Sequence, residues 1–261
     1  MDLSDPICEH YSLFKMGVHS HVLHYAQMLA PLVADLLSAN SAPPDWVLTS
    51  PTHHAIPCAA NLLCWCIADI LKPTIAPPVV DIRHQHAAAA PQGSFDTTKY
   101  YDYSQLSWSD RIKSLQYSNH LMAKDARFSG RAVVFINDIS VTGSQQRDMQ
   151  FYFQSVNAAT VHWLYIIGVE ESIGKSEPQL EYSINNATKL SIEEFGRILA
   201  EEDIRYTTKC IWRLMAYETS DLRRLLSRLD ADRRSTILRL VLEEGRFDGD
   251  SFREKIELLR A

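Results

Sequence analysis

The sequence carries no excess of positive charge. Twenty-six Lys and Arg stand against 32 Asp and Glu, a formal net charge of -6, which excludes a general nucleic-acid-binding surface. Cysteine is scarce. Five residues do not make a disulfide framework, and Cys64-Trp65-Cys66 lacks metal-finger spacing. Reduced thiols and a cytoplasmic location are the expectation. The start, Met1 to Asp5, lacks the basic residues and apolar core of a signal peptide. The longest apolar stretch, near Ala59 to Leu71, is too short and interrupted to cross a membrane. There is no internal repeat, and no low-complexity segment beyond Ala87 to Ala90. What remains is ordinary globular material. Apolar content of 46% over 261 residues supplies a sizeable core, in one large domain or a domain with an appendage.

The chain is organised around residues Arg131 to Gln145. Ala132, Val133, Val134, Phe135 and Ile136 form an apolar, partly β-branched run that reads as a buried, parallel strand. The run ends at Asn137 and Asp138. Beyond Gly143, Met149, Tyr152, Phe153 and Val156 recur at helical spacing. Strand, turn and helix follow one another, with the turn at a strand's carboxyl end, where open α/β sheets bind ligands. Thr142, Gly143 and Ser144 offer backbone N–H groups and two hydroxyls at the helix start, a setting that favours a phosphate. Gly143 lets the backbone approach a ligand. Asn137 and Asp138 can hydrogen-bond neighbouring sugar hydroxyls. Phosphate at one end and diol at the other describe ribose 5-phosphate. The bland alternative is an ordinary β-turn-α connection.

This stretch resembles the motif by which type I phosphoribosyltransferases bind 5-phosphoribosyl-1-pyrophosphate (PRPP). Val133 to Ile136, Asp138, Ile139, Thr142 and Gly143 fit it. Asn137 replaces its first acidic residue and brings no charge; Gln145 replaces its last hydroxyl and reaches a phosphate less compactly. Near the start, Tyr11, Ser12, Phe14, Lys15 and Gly17 resemble a short signature of bacterial ComF-like phosphoribosyltransferases. Phe14-Lys15-Met16-Gly17 is also similar to a base-contacting loop of orotate phosphoribosyltransferases. The alternative there is a hairpin or turn before the first helix, with Lys15 solvated.

The rest of the chain is read around these landmarks. His19 to Leu37 has helical periodicity, with Pro31 as a potential kink. His19, His21 and His24 lack an acidic or cysteine partner and read as a surface trio. Ser38 to Asp45 reads as a loop and Trp46 to Thr49 as a strand. Ser50 to His54 follow as a loop, and Ile56 to Leu71 as a helix. Small polar residues between strand and helix suit an anion nest. Ala76 to Arg83 reads as a further strand and residues 84–104 as a long loop without periodicity. Ser107 to Phe128 is helical by its apolar spacing, with Arg111 and Lys113 as candidate phosphate contacts, and Thr160 to Val169 is another strand. Beyond Glu170, Ser191-Ile-Glu-Glu194 is a capping box. Leu214 to Leu229 and Ser235 to Glu243 are amphipathic. Gly245 suits a helix end, and Ser251-Phe-Arg-Glu254 opens a last helix. Right-handed crossovers between the strands predict an α/β fold, a mainly parallel sheet flanked by helices, with a C-terminal helical region. Residues 1–170 form the α/β part; residues 171–261 form a helical cap or interaction region without a chemistry-bearing cluster.

The resemblance implies transfer of a 5-phosphoribosyl group from PRPP to an unidentified nitrogen acceptor, with release of pyrophosphate. It places ribose 5-phosphate on Asn137, Asp138, Ile139, Ser140, Val141, Thr142, Gly143, Ser144 and Gln145. It places pyrophosphate on Ser50, Pro51, Thr52 and His53, with Arg83 or His84 at the base of a mobile hood over residues 84–104, and gives Lys15 to the base. Asp138 is the catalytic candidate, stabilising positive charge on the sugar. Magnesium binds mainly through the ligand, keeping several waters; no protein metal ligands are expected. Partners are PRPP and the acceptor, with no nucleic acid and no membrane. The C-terminal helices are candidates for a homodimer contact or an operon-encoded partner. Two other readings stay open: a catalytically weak or inactive PRPP or nucleotide sensor, and a scaffold.

Overall fold

The computed structural model describes residues 6–39, 45–83, 107, 109–110, 125–188, 190–201 and 203–261. The sheet among them is β1 (Trp46–Thr49), β2 (Ala132–Ser140) and β3 (Thr160–Gly168), parallel throughout, in the order β1-β2-β3. The central strand is longer than its apolar run. Asn137 pairs with Tyr165, Ile139 with Ile167 and Ser140 with Gly168, so Asn137 and Asp138 lie inside the strand and not in the turn beyond it. The ladder to β3 carries the extended backbone past the point where apolar residues stop. The expected strand over Ala76 to Arg83 is reduced to two parallel bridges, Leu48 with Val79 and His53 with Arg83. Pro77 and Pro78 have no N–H for a continuous ladder, although the Pro78 carbonyl accepts from Leu48 at 3.0 Å.

Both faces of β2 are buried, as a run of consecutive apolar residues requires. Ala132, Val134 and Ile136 join a core with α2 (His19–Ser38) and α3 (Ala59–Leu71), built on residues such as Leu29, Val33, Leu62 and Ile67. Val133 and Phe135 point the other way, towards Met149, Tyr152 and Phe153 of α4 (Ser144–Ser155). Pro31 sits inside α2 without ending it. Of the helix expected over Ser107 to Phe128, the last residues form a separate 3-10 turn, Ala126–Phe128, capped by the Asp125 carboxylate, which accepts from Arg127 N–H at 2.9 Å. Most of the rest of that helix lies outside the described residues, as do His84, Arg111, Lys113 and the expected hood.

The chain opens with α1 (Pro6–Met16), a helix where a hairpin or turn was the alternative. After β3 come the short α5 (Glu171–Ser176) and α6 (Leu180–Asn185), then α7 (Ile192–Glu201), α8 (Thr208–Ala216), α9 (Thr219–Leu226), α10 (Ala231–Glu244) and α11 (Asp250–Arg260). Ser191 and Glu194 form the expected capping box, with bonds of 2.8 and 3.1 Å. The amphipathic stretch Leu214 to Leu229 is divided between two helices, because Tyr217 and Glu218 are extended and Thr219-Ser220-Asp221 start the second. The last helix starts at Asp250 behind Gly249, with Ser251 already in its first turn. Phe195, Ile211, Leu214, Leu222, Leu225, Ile237 and Phe247 bury one another in a cluster that also takes Met16 and Ile56 from the first part of the chain. Among the described residues, no helix is long and apolar enough to cross a membrane.

The α1–α2 corner is bonded directly to this helical region. Arg205 N–H donates to the Gly17 carbonyl at 2.9 Å, His19 N–H donates to Asp203 at 2.8 Å, and Val18 bridges Ile204. Gly17 has φ 89°, and a Cβ there would lie 2.0 Å from the Arg205 carbonyl oxygen. Gly17→Ala therefore meets both left-handed strain and a backbone clash. We expect it to destabilise the chain by about 1–3 kcal/mol or more, measured as a lower urea midpoint.

Candidate functional site

A cleft of ≈ 280 Å³ opens at the carboxyl ends of β1 and β2. One wall is the turn from Ile139 to Gln145. Gly143 is left-handed, φ 66° and ψ 3°, and caps α4. Thr142 and Ser144 are buried and bonded to each other: Thr142 Oγ1 donates to Ser144 Oγ at 2.9 Å and accepts from Ser144 N–H at 3.3 Å. Arg147 Nη2 donates to the Thr142 carbonyl at 3.1 Å. The left-handed turn, the hydroxyls and the start of a three-turn helix together make a corner whose free N–H groups and dipole suit an anion.

Asp138 stands at the end of β2, 5% exposed, and also lines the cleft. Its Oδ2 accepts from Tyr11 Oη at 3.0 Å and from Lys15 Nζ. Both donors come from α1, one turn apart, so the helix presents them side by side. Burial and the Asp138 charge push the Tyr11 hydroxyl well above its ordinary range. For Lys15 burial works against the charge, but Asp138 and Glu181 outweigh it and hold the ammonium above its usual value. Lys15 is thus a partly buried cation in the site, paired with Asp138, and not a solvated surface group. Cys58 borders the same space. Burial and the Asp138 charge raise its thiol to about 11, so it is no thiolate nucleophile at neutral pH.

The loop after β1 forms another part of the lining. Pro51, Thr52 and His53 line the cleft, with His54 and Ile56 beyond them. His53 is buried, edge-on to Trp65 with ring centroids 6.0 Å apart, and neither ring nitrogen has a hydrogen-bond partner among the described residues. Burial and nearby Arg83 lower its pKa from 6.5 to about 4, so the ring is neutral. Glu244, the last residue of α10, reaches this loop from the far end of the chain. Its Oε2 accepts from Ala55 N–H at 3.0 Å and Ile56 N–H at 2.8 Å, and its Oε1 pairs with Arg246 Nε at 3.1 Å.

A family model for ComF-like phosphoribosyltransferases (PRTase ComF-like) matches residues 7–259, almost the whole chain. The chain belongs to this family. No curated protein matches it.

Most of the residues that the resemblance picked out in this ComF-like phosphoribosyltransferase meet in one cleft: Asn137 to Gln145, Pro51 to His53, and Lys15. Two do not line it. Ser50 lies behind the loop, its Oγ accepting from Asn61 Nδ2 at 2.8 Å. Arg83 donates to the His54 carbonyl at 2.6 Å and pairs with Asp81. Residues that sequence reasoning passed over complete the cleft. Glu181, Thr208, Glu244 and Arg246 come from the C-terminal region, and Tyr165 from β3. Glu244 did leave a signal. Glu243-Glu244 closes a helix before Gly245, where the dipole disfavours carboxylates, so one of them needs a partner elsewhere. Glu181 left none.

Lys15→Met would leave the Asp138 carboxylate buried without its cation. We expect a loss of about 3–5 kcal/mol in chemical denaturation, much of it recovered in Lys15→Met/Asp138→Asn. His53 predicts a pH effect. Its folded pKa, about 4, lies below the ordinary 6.5, so the unfolded chain takes up the proton first. The stability this group contributes is whole above pH 6.5 and is lost as pH falls towards 4. His21, also lowered to about 4 by burial and by His10 and His24, acts in the same direction. Urea titrations across that window should show a shallower decline for His53→Gln than for the natural chain.

Proposed function

We propose that the cleft binds PRPP and passes its 5-phosphoribosyl group to a nitrogen acceptor, releasing pyrophosphate. The observation that carries this reading is the placement of an anion-binding helix start, Thr142 to Ser144, and a buried carboxylate, Asp138, in one cleft wall at a strand's carboxyl end. The 5′-phosphate meets the Thr142–Ser144 turn. The ribose diol meets Asn137 and Asp138. Pro51, Thr52 and His53 face the pyrophosphate, and Lys15 faces the base.

In the transfer, the bond from the sugar's anomeric carbon to the pyrophosphate oxygen breaks, and the pyrophosphate keeps the electron pair. The acceptor nitrogen forms the new bond and gives up a proton. Positive charge grows on the sugar in between. Asp138 is held in place by Lys15 and Tyr11, so its carboxylate acts as a preorganised countercharge. The protein orients and stabilises; no side chain is a covalent nucleophile.

Among the described residues no three His, Cys, Asp or Glu side chains converge as metal ligands, and Asp138 Oδ2 is taken by Tyr11 and Lys15. Magnesium bound through the pyrophosphate and ribose hydroxyls of the ligand would offset the charge of the leaving pyrophosphate. The five free cysteines support a cytoplasmic setting for this chemistry.

The amide at position 137 favours one other reading, a PRPP sensor without turnover, since a single carboxylate faces the diol. Magnesium-dependent pyrophosphate release across a panel of bases and amines separates the two. We expect release from the natural chain. Asp138→Asn should lower turnover more than PRPP affinity, because the charge it opposes develops towards the transition state. Gly143→Val, with a β-branched residue at positive φ, should abolish ribose 5-phosphate binding in calorimetry. Equal affinity in that variant would remove the phosphate assignment.

A further inference from the structure

The two positions at which this chain leaves the PRPP motif are bonded to each other. Asn137 Nδ2 donates to Gln145 Oε1 at 2.9 Å and to the Ile139 carbonyl at 3.3 Å. These bonds set the direction of both amides. A backbone carbonyl only accepts, so Ile139 requires the nitrogen of Asn137 on its side. That nitrogen in turn requires the oxygen of Gln145. Asn137 is 4% exposed and cannot turn freely. With Oε1 turned to Asn137, Gln145 has its Nε2 and two donors on the other side of the amide. It lies in the first turn of α4, in the cleft wall beside Thr142 and Ser144.

We infer that Asn137 and Gln145 are one positioning device, in which Asn137 holds the Gln145 amide so that its Nε2 donates to the ligand's 5′-phosphate. Gln145 is the phosphate-contacting residue; Asn137 acts through it. This rests on the phosphate-loop reading given above. The device explains why the two departures occur together. A carboxylate at 137 only accepts. It would draw the Gln145 Nε2 inward and turn Oε1 to face the phosphate, replacing attraction by repulsion. A short hydroxyl at 145 needs no such guidance, because a hydroxyl rotates to donate wherever an acceptor lies. An acid at 137 therefore fits a hydroxyl at 145, and an amide at 137 fits an amide at 145. The poor pair is an acid at 137 with an amide at 145.

The test is calorimetric titration of ribose 5-phosphate into the full chain and four variants. Asn137→Asp should weaken binding by about tenfold, the scale of losing one hydrogen bond to a charged group. Gln145→Ser should also weaken it. In the double variant Asn137→Asp/Gln145→Ser the change at 137 should add no further loss to that of Gln145→Ser, because a hydroxyl orients itself whatever stands at 137; a merely structural role for Asn137 would make the two losses multiply. Gln145→Glu keeps the acceptor for Asn137 but turns an anionic oxygen to the phosphate, and should also lose about tenfold. It remains informative if Asn137→Asp does not fold. Two results overturn the inference alone: losses that simply multiply in the double variant, or natural affinity in Gln145→Glu. Absence of ribose 5-phosphate binding by the natural chain overturns the phosphate-loop reading itself, and this inference with it.

Discussion

A carboxylate held at the end of a central strand, almost out of reach of water, has to be met by donors or it neutralises. Asp138 is met by Tyr11 and Lys15, 127 and 123 residues away in sequence. That requirement sets the position of α1. The helix must lie across the carboxyl end of β2, close enough for two side chains one turn apart to converge on one oxygen. Other contacts then hold α1 in place. Ser12 Oγ donates to the Ile184 carbonyl at 3.1 Å, and Thr207 Oγ1 donates to the Lys15 carbonyl at 2.7 Å. The backbone that carries Lys15 is thus fixed by the helical region, while its side chain is fixed by the sheet.

Glu244 repeats the arrangement elsewhere in the cleft lining, with donors of another kind. Its carboxylate takes the N–H groups of Ala55 and Ile56, which belong to the loop after β1. The charge balance is informative. Among the described lining residues, the cations Lys15 and Arg246 are each bonded to a carboxylate, Asp138 and Glu244. These residues provide no surplus of positive charge for a polyanion. On the proposed reading, a phosphate would be met by backbone N–H groups, hydroxyls and side-chain amides, which are directional and demand a correctly shaped ligand more than a merely charged one.

The sequence was most readable where chemistry is local. Trp46 to Thr49 and the core of the Ala132 to Ile136 run are strands because consecutive apolar residues can be satisfied only by burial on two faces, and the turn at Thr142 to Ser144 is legible as a turn because glycine, hydroxyls and helix onset sit within a few residues. Reading failed where the deciding partner is distant. The end of β2 was placed too early because Asn137 and Asp138 are polar, and their partners, Gln145 apart, lie on α1 and β3. Tyr217 and Glu218 interrupt a run whose spacing alone is continuous. Lys15 could be solvated or buried on the evidence of its neighbours; only the arrival of Asp138 decides. The lining residues from the C-terminal region were missed for the same reason, as no local pattern marks a side chain that reaches across the fold.

The cleft's parts also have an order in time. A chain is made from its N-terminus, and its segments begin to fold in that order. The α1 donors, the loop after β1 and the phosphate turn have all been synthesised by residue 145. Glu181, Thr208, Glu244 and Arg246 follow only with the C-terminal helices. On the ribosome, then, the groups that would hold the sugar phosphate precede the groups that complete the lining. Until Glu244 emerges, the N–H groups of Ala55 and Ile56 lack the carboxylate that binds them in the finished protein, and the loop has no anchor from the C-terminal helices. The nascent site begins long before it is complete.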